Sequence, residues 1–140
     1  MPFPPEPIPG LVVCYRYLWA AEATQGRVEG LKDRPCAVVV AIDTDADGKR
    51  VVVAPITHTP PDNPDHAIKL SPRTQHRLGL DQDQSWIITD EINVLGWPGP
   101  DIRPTPAGAS AFGELPEVVF HALKKQVLAH GLGNQIKRTE

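Results

Sequence analysis

Apolar side chains in this chain fall into short runs more often than into long helical stripes. Two runs, residues 36–42 and 50–56, are rich in β-branched residues, and the stretch 43–48 between them ends in an Asp-Gly step. That pattern predicts two buried strands joined as a hairpin. Residues 11–19 form an apolar and aromatic run interrupted by Tyr15, Arg16 and Tyr17, which predicts a first strand with one wet face. Residues 66–70 alternate as a short strand does. Residues 85–89 are apolar and β-branched and run directly into 90–95, which predicts a further strand.

Helical signals are fewer. Ser71-Pro72 reads as an N-cap followed by proline at the first helical position, so residues 71–78 predict about two turns closed by Gly79. Leu115-Pro116 opens a second helix. Val118, Val119, Ala122, Leu123, Val127 and Leu128 recur at three- and four-residue steps as its apolar stripe, and Gly131-Leu132-Gly133 ends it. Residues 20–34 carry Gly26, Gly30 and several charges without periodicity and predict a mobile loop. A few short antiparallel strands with little helix predict a mainly β fold, a small, partly open barrel with a C-terminal helix.

With 140 residues the chain suits one domain. Its 16 prolines against 11 glycines imply short elements and many interrupted connections. Five of those prolines stand in the first ten residues, so 1–9 reads as an extended N-terminal tail, 10–131 as the domain and 132–140 as a C-terminal tail. Cys14 and Cys36 lie inside apolar runs without CxxC spacing, which suits reduced, buried thiols, although a bond between adjacent strands stays open. No signal peptide or 18-residue apolar span is present, so the expectation is a cytoplasmic protein without a membrane partner.

The formal net charge of −3 offers no global attraction to nucleic acid. Any such binding must use a local basic face, and Arg16, Arg27, Lys32 and Arg34 supply one candidate cluster, Arg73, His76 and Arg77 another. Arg34-Pro35 leads one strand and Thr57 ends the next, so a guanidinium and a hydroxyl can meet at one sheet edge. The planar donor fork of arginine fits two phosphate oxygens, and a hydroxyl beside it can bond the phosphate or an attacking hydroxyl. His58 is the best proton carrier near neutral pH. Strand alternation would send it away from Thr57 unless the chain bends at Pro60 or earlier.

Thr59 adds a further hydroxyl to the RNA-binding candidates. Trp97 either covers the barrel end or offers an exposed base-stacking platform. Asp90 either caps a turn or serves as a base. Asp43, Asp45, Asp47 and Gly48 imitate the opening of an EF-hand loop, but its twelfth position is Ala54 and strands flank it, so a plain turn is expected. Asp62, Asp65, His58 and His66 match no defined metal spacing; no metal and no cofactor are expected.

Five motifs in order carry a resemblance. Gly10 precedes an aromatic-rich first strand; Arg34-Pro35 precedes Cys36-Ala37-Val38; Pro55-Ile56-Thr57 ends the third strand; Leu78-Gly79-Leu80 leads to Ser85, Asp90, Glu91 and Ile92; and Phe112-Gly113-Glu114-Leu115 precedes the last helix. Over residues 10–130 the chain resembles the PemK/MazF toxin family. That resemblance implies an SH3-like barrel of five to seven short antiparallel strands, usually a homodimer. It also implies a metal-independent endoribonuclease acting on single-stranded RNA and neutralised by an antitoxin. Arg34 matches the family's arginine before proline, Thr57 its strand-end hydroxyl, and Asp90 an acidic position that serves as a base in some members. Ile88 stands where those members carry arginine, and the proline-rich segments 1–9 and 96–106 depart from the shortest members. The alternatives are a noncatalytic SH3-like barrel binding RNA or a protein partner, and a structural or regulatory domain that keeps only the scaffold.

Overall fold

Two β-branched runs pair as the sequence predicts. The strands β2 (Arg34–Asp43) and β3 (Lys49–Thr57) form an antiparallel ladder from Cys36↔Pro55 to Asp43↔Lys49, with one irregularity between Val38 and Val40. The computed structural model describes residues 3–26, 32–43, 48–80, 84–133 and 135–138. The expected turn at 43–48 therefore lies largely outside the described residues, as do Asp45 and Asp47 of the calcium-like spacing.

Around this hairpin stand β1 (Leu11–Tyr15), β4 (Ala67–Lys69), β5 (Trp86–Ile88), β6 (Ile92–Trp97), β7 (Ile102–Arg103), β8 (Gly113–Glu114) and β9 (Gln135–Lys137). The described residues thus form nine strands of one sheet, more than the five to seven expected, and the sheet does not close into a barrel. Its main path runs β4-β5-β3-β2-β1-β7. All ladders are antiparallel except β6 with β9. Helices α1 (Ala20–Thr24), α2 (Pro72–Arg77) and α3 (Glu117–Gln126) complete the fold, the last continued by a π-helical turn over Val127–Gly131.

Strand alternation feeds two cores, one on each face of the sheet. Val12, Ala37, Ala54, Ile56, Ile87 and Ile92 pack with Leu123 and Val127 of the C-terminal helical segment. Leu11, Val13, Tyr15, Cys36, Val38 and Val53 pack with Tyr17, Leu95 and Trp97. The first strand consequently ends at Tyr15 and is buried on both sides, with no wet face. Cys36 shares its face with Val13, so alternation sends Cys14 to the other side of the sheet, and both thiols are free and buried. Burial pushes the Cys14 thiol up to about 11 and the Cys36 thiol higher still.

Three expectations are corrected. Part of the loop at 20–34 is the short helix α1; residues 27–31 lie outside the described residues. The expected C-terminal tail at 132–140 instead contributes β9, and Arg138 after it is buried. Its guanidinium pairs with Asp101 and donates to Tyr15 Oη at 2.8 Å and the Arg16 carbonyl at 2.9 Å. The α3 stripe is narrower than expected: Leu123 and Val127 are buried, but Val118 is 81% and Leu128 61% exposed. Among the described residues no helix is long and apolar enough to cross a membrane.

Candidate functional site

β3 pairs with β6 along its first half and with β5 along its last residues, and the two ladders are out of step. Between Val53↔Asn93 and Ile56↔Ile87, β3 uses two residues and the opposing chain uses the five residues 88–92. Pro55, which has no N–H to give a ladder, lies in this gap. The surplus residues leave the sheet as a bulge and carry Asp90 and Glu91 into a cleft of about 710 Å³. The bulge is held from three sides. Thr89 N–H donates to the His66 carbonyl at 3.0 Å, Thr89 Oγ1 donates to Gln126 Oε1 at 2.8 Å, and Gly131 packs so closely that a Cβ there would stand 2.8 Å from the Thr89 oxygen.

The opposite wall comes from the β2–β3 hairpin. Carrying its register two residues beyond Cys36↔Pro55 sets Arg34 across from Thr57, and both line the cleft. Thr57 Oγ1 accepts the Thr59 N–H at 3.1 Å, a side-chain turn that bends the chain as soon as the strand ends. Because of that bend His58 joins Thr57 and Thr59 in the cleft. His58 Nδ1 lies 3.1 Å from both the Gln84 carbonyl and Ser85 Oγ. A carbonyl only accepts, so the bond to Gln84 forms in the tautomer that carries its proton on Nδ1, whose basic nitrogen is Nε2.

Arg34 is half-buried. Its Cζ lies 4.9 Å from the Trp19 ring centroid, and its Nε is buried without a hydrogen-bond partner. Lys32 also lines the cleft. Arg16 does not; its Nε donates to Asp33 Oδ1 at 3.1 Å, and Asp33 is itself a lining residue. Arg27 lies outside the described residues. Arg73, His76 and Arg77 do not line the cleft.

Trp97 is corrected: it is 7% exposed within the second core, and its Nε1 donates to the Pro5 carbonyl at 3.1 Å, so it offers no stacking face. The N-terminal segment covers it, with Pro5 and Pro7 themselves buried.

Three lining residues escaped the sequence reading. His66 Nδ1 lies 3.5 Å from Asp90 Oδ2, and its ring stacks on His130 at 4.1 Å between centroids. Trp19, at the end of the apolar run 11–19, lies beyond β1 and supplies the aromatic face of the cleft. Glu91 accepts the Ala20 N–H on Oε2 at 2.7 Å. Burial pushes its carboxyl up to about 7 against that hydrogen bond, helped by the neighbouring charges of Asp90 and Glu22. Adjacent acidic residues at 90 and 91 were the only local signal.

The hairpin side of the cleft therefore carries Lys32, Arg34, Thr57 and the His58 imidazole, while the His66 imidazole and the carboxylates of Asp90 and Glu91 come from other segments. Among the described residues no group of three or more His, Cys, Asp or Glu side chains is arranged to hold a metal ion. No family model matches the sequence, and a search of curated proteins found no match either. The likeness to PemK/MazF toxins rests on the ordered motifs alone.

Proposed function

We propose that the cleft binds single-stranded RNA and cleaves it by attack of a ribose 2′-hydroxyl on the adjacent phosphodiester. The observation that carries this is that Arg34, Thr57 and His58 line one open cleft. The new bond is 2′-O–P and the broken bond is P–O5′, giving a 2′,3′-cyclic phosphate and a 5′-hydroxyl. His58 Nε2 takes the proton of the 2′-hydroxyl. His66, oriented by Asp90, returns a proton to the leaving 5′-oxygen. Arg34 and Lys32 offset the negative charge that builds on phosphorus, and a well-placed donor of this kind contributes about 2.7–4 kcal/mol to transition-state stabilisation. Thr57 Oγ1 accepts the Thr59 N–H and still has its own proton to donate to a phosphate oxygen.

With the resemblance added, the proposal extends to a cytoplasmic toxin that acts as a homodimer and is neutralised by a cognate antitoxin. An RNA carrying a single 2′-deoxynucleotide at a cleavage position tests the chemistry. Cutting there should vanish while neighbouring sites persist, and undiminished cutting at the deoxy position would rule out 2′-hydroxyl attack.

A further inference from the structure

Glu91 and Asn93, two residues apart, hold Ala20 and Leu18, the residues on either side of Trp19. Glu91 Oε2 accepts the Ala20 N–H at 2.7 Å. Asn93 Oδ1 accepts the Leu18 N–H at 2.9 Å, and Asn93 Nδ2 donates to the Leu18 carbonyl at 2.8 Å. Between them the Trp19 N–H donates to Glu22 Oε1 at 3.0 Å. Every amide from 18 to 20 is thus bound by a side chain, although the segment belongs to no strand.

What this segment carries is the Trp19 ring. Tyr17 meets that ring edge-on, with 5.1 Å between centroids and 70° between planes, and the Arg34 guanidinium lies over it. Since Arg34 Nε has no hydrogen-bond partner, the indole is the defined contact at that end of the fork.

We infer that Glu91 is a positioning residue: through Ala20 it seats Trp19, and Trp19 aims the guanidinium of Arg34 into the cleft. The effect on turnover rests on the RNA-cleaving function proposed above; the clamp itself does not. Facing Glu91 are the carboxylates of Asp90 and Glu22, the buried Tyr17 hydroxyl and the Ala20 amide. An ionised carboxylate accepts more strongly than a protonated one, so the clamp loosens as pH falls through about 7.

The amide proton of Ala20, followed by NMR in the full-length protein, reads the clamp directly. Its chemical shift should titrate with a midpoint near 7 in the wild type and stay flat in Glu91→Gln, which keeps an acceptor of the same shape. In RNA cleavage, Glu91→Ala and Trp19→Ala should each lower kcat by about 10–100-fold, with little change in KM, and the double variant should add little. Glu91→Gln should restore most of the rate and flatten the acid side of the pH profile. Continued titration of Ala20 in Glu91→Gln, or wild-type turnover by Glu91→Ala, would overturn the inference. A wild-type protein that leaves RNA intact would refute the nuclease function, and the Ala20 titration would still decide the clamp.

Discussion

Thr57 Oγ1 accepts the Thr59 N–H at 3.1 Å at the end of β3, beside the cleft that Arg34 also lines. That bond depends on the hydroxyl and not on β-branching. Thr57→Val should keep the fold but lower RNA cleavage by about 100-fold, the loss typical of removing one preorganised donor. Thr57→Ser should keep most of the rate. Single-turnover cleavage by the two variants checks this.

Lys32 lines the cleft of a protein whose formal net charge is −3. Under the proposed function, RNA affinity comes from local cations such as this one. Lys32→Ala should weaken binding about equally for all sequences and reduce the slope of log affinity against log salt by about 0.7, the value for one lost single-strand phosphate contact. Titrations of a labelled oligonucleotide at several salt concentrations measure both.

Burial raises the Glu91 carboxyl from 4.5 to about 7 in the folded protein. The folded state then binds more protons than the unfolded state between those values, so this group's contribution to stability is full below about 4.5 and is lost as pH rises to about 7. Glu91→Gln removes that dependence. The variant should gain stability relative to wild type across this window, read as the difference in Tm between pH 4.5 and pH 7.5.

Arg138 is the buried end of a short chain of polar partners, with its side chain 2% exposed and that of Asp101 11% exposed. Removing one member of a buried ion pair strands the other. Arg138→Ala should destabilise the protein by about 3–5 kcal/mol, measured by urea unfolding.

Legibility tracked how local each signal was. The β2–β3 hairpin and α2 could be read from β-branched runs and from Ser71-Pro72 with Gly79, because turn and cap chemistry is written in adjacent residues. That Arg34 and Thr57 line one cleft follows from the same hairpin, whose two strands end there. β9 could not be read: Gln135, Ile136 and Lys137 carry no strand pattern, and they are anchored by Arg138 reaching Asp101 and Tyr15, distant in sequence. Trp97 misled because its cover is Pro5, at the other end of the chain. Glu91 entered the site through a bulge set by a mismatch of two ladders across Pro55, which no single strand's pattern encodes, and His66 entered it from the 3-10 turn Pro64–His66 ahead of β4.

Purified protein incubated with a long single-stranded RNA in the presence of a chelator tests the central claim most directly. The wild type should yield discrete fragments ending in 2′,3′-cyclic phosphate, and Arg34→Ala should leave the RNA intact. Uncut RNA with the folded wild-type protein, or equal cutting by Arg34→Ala, would contradict it.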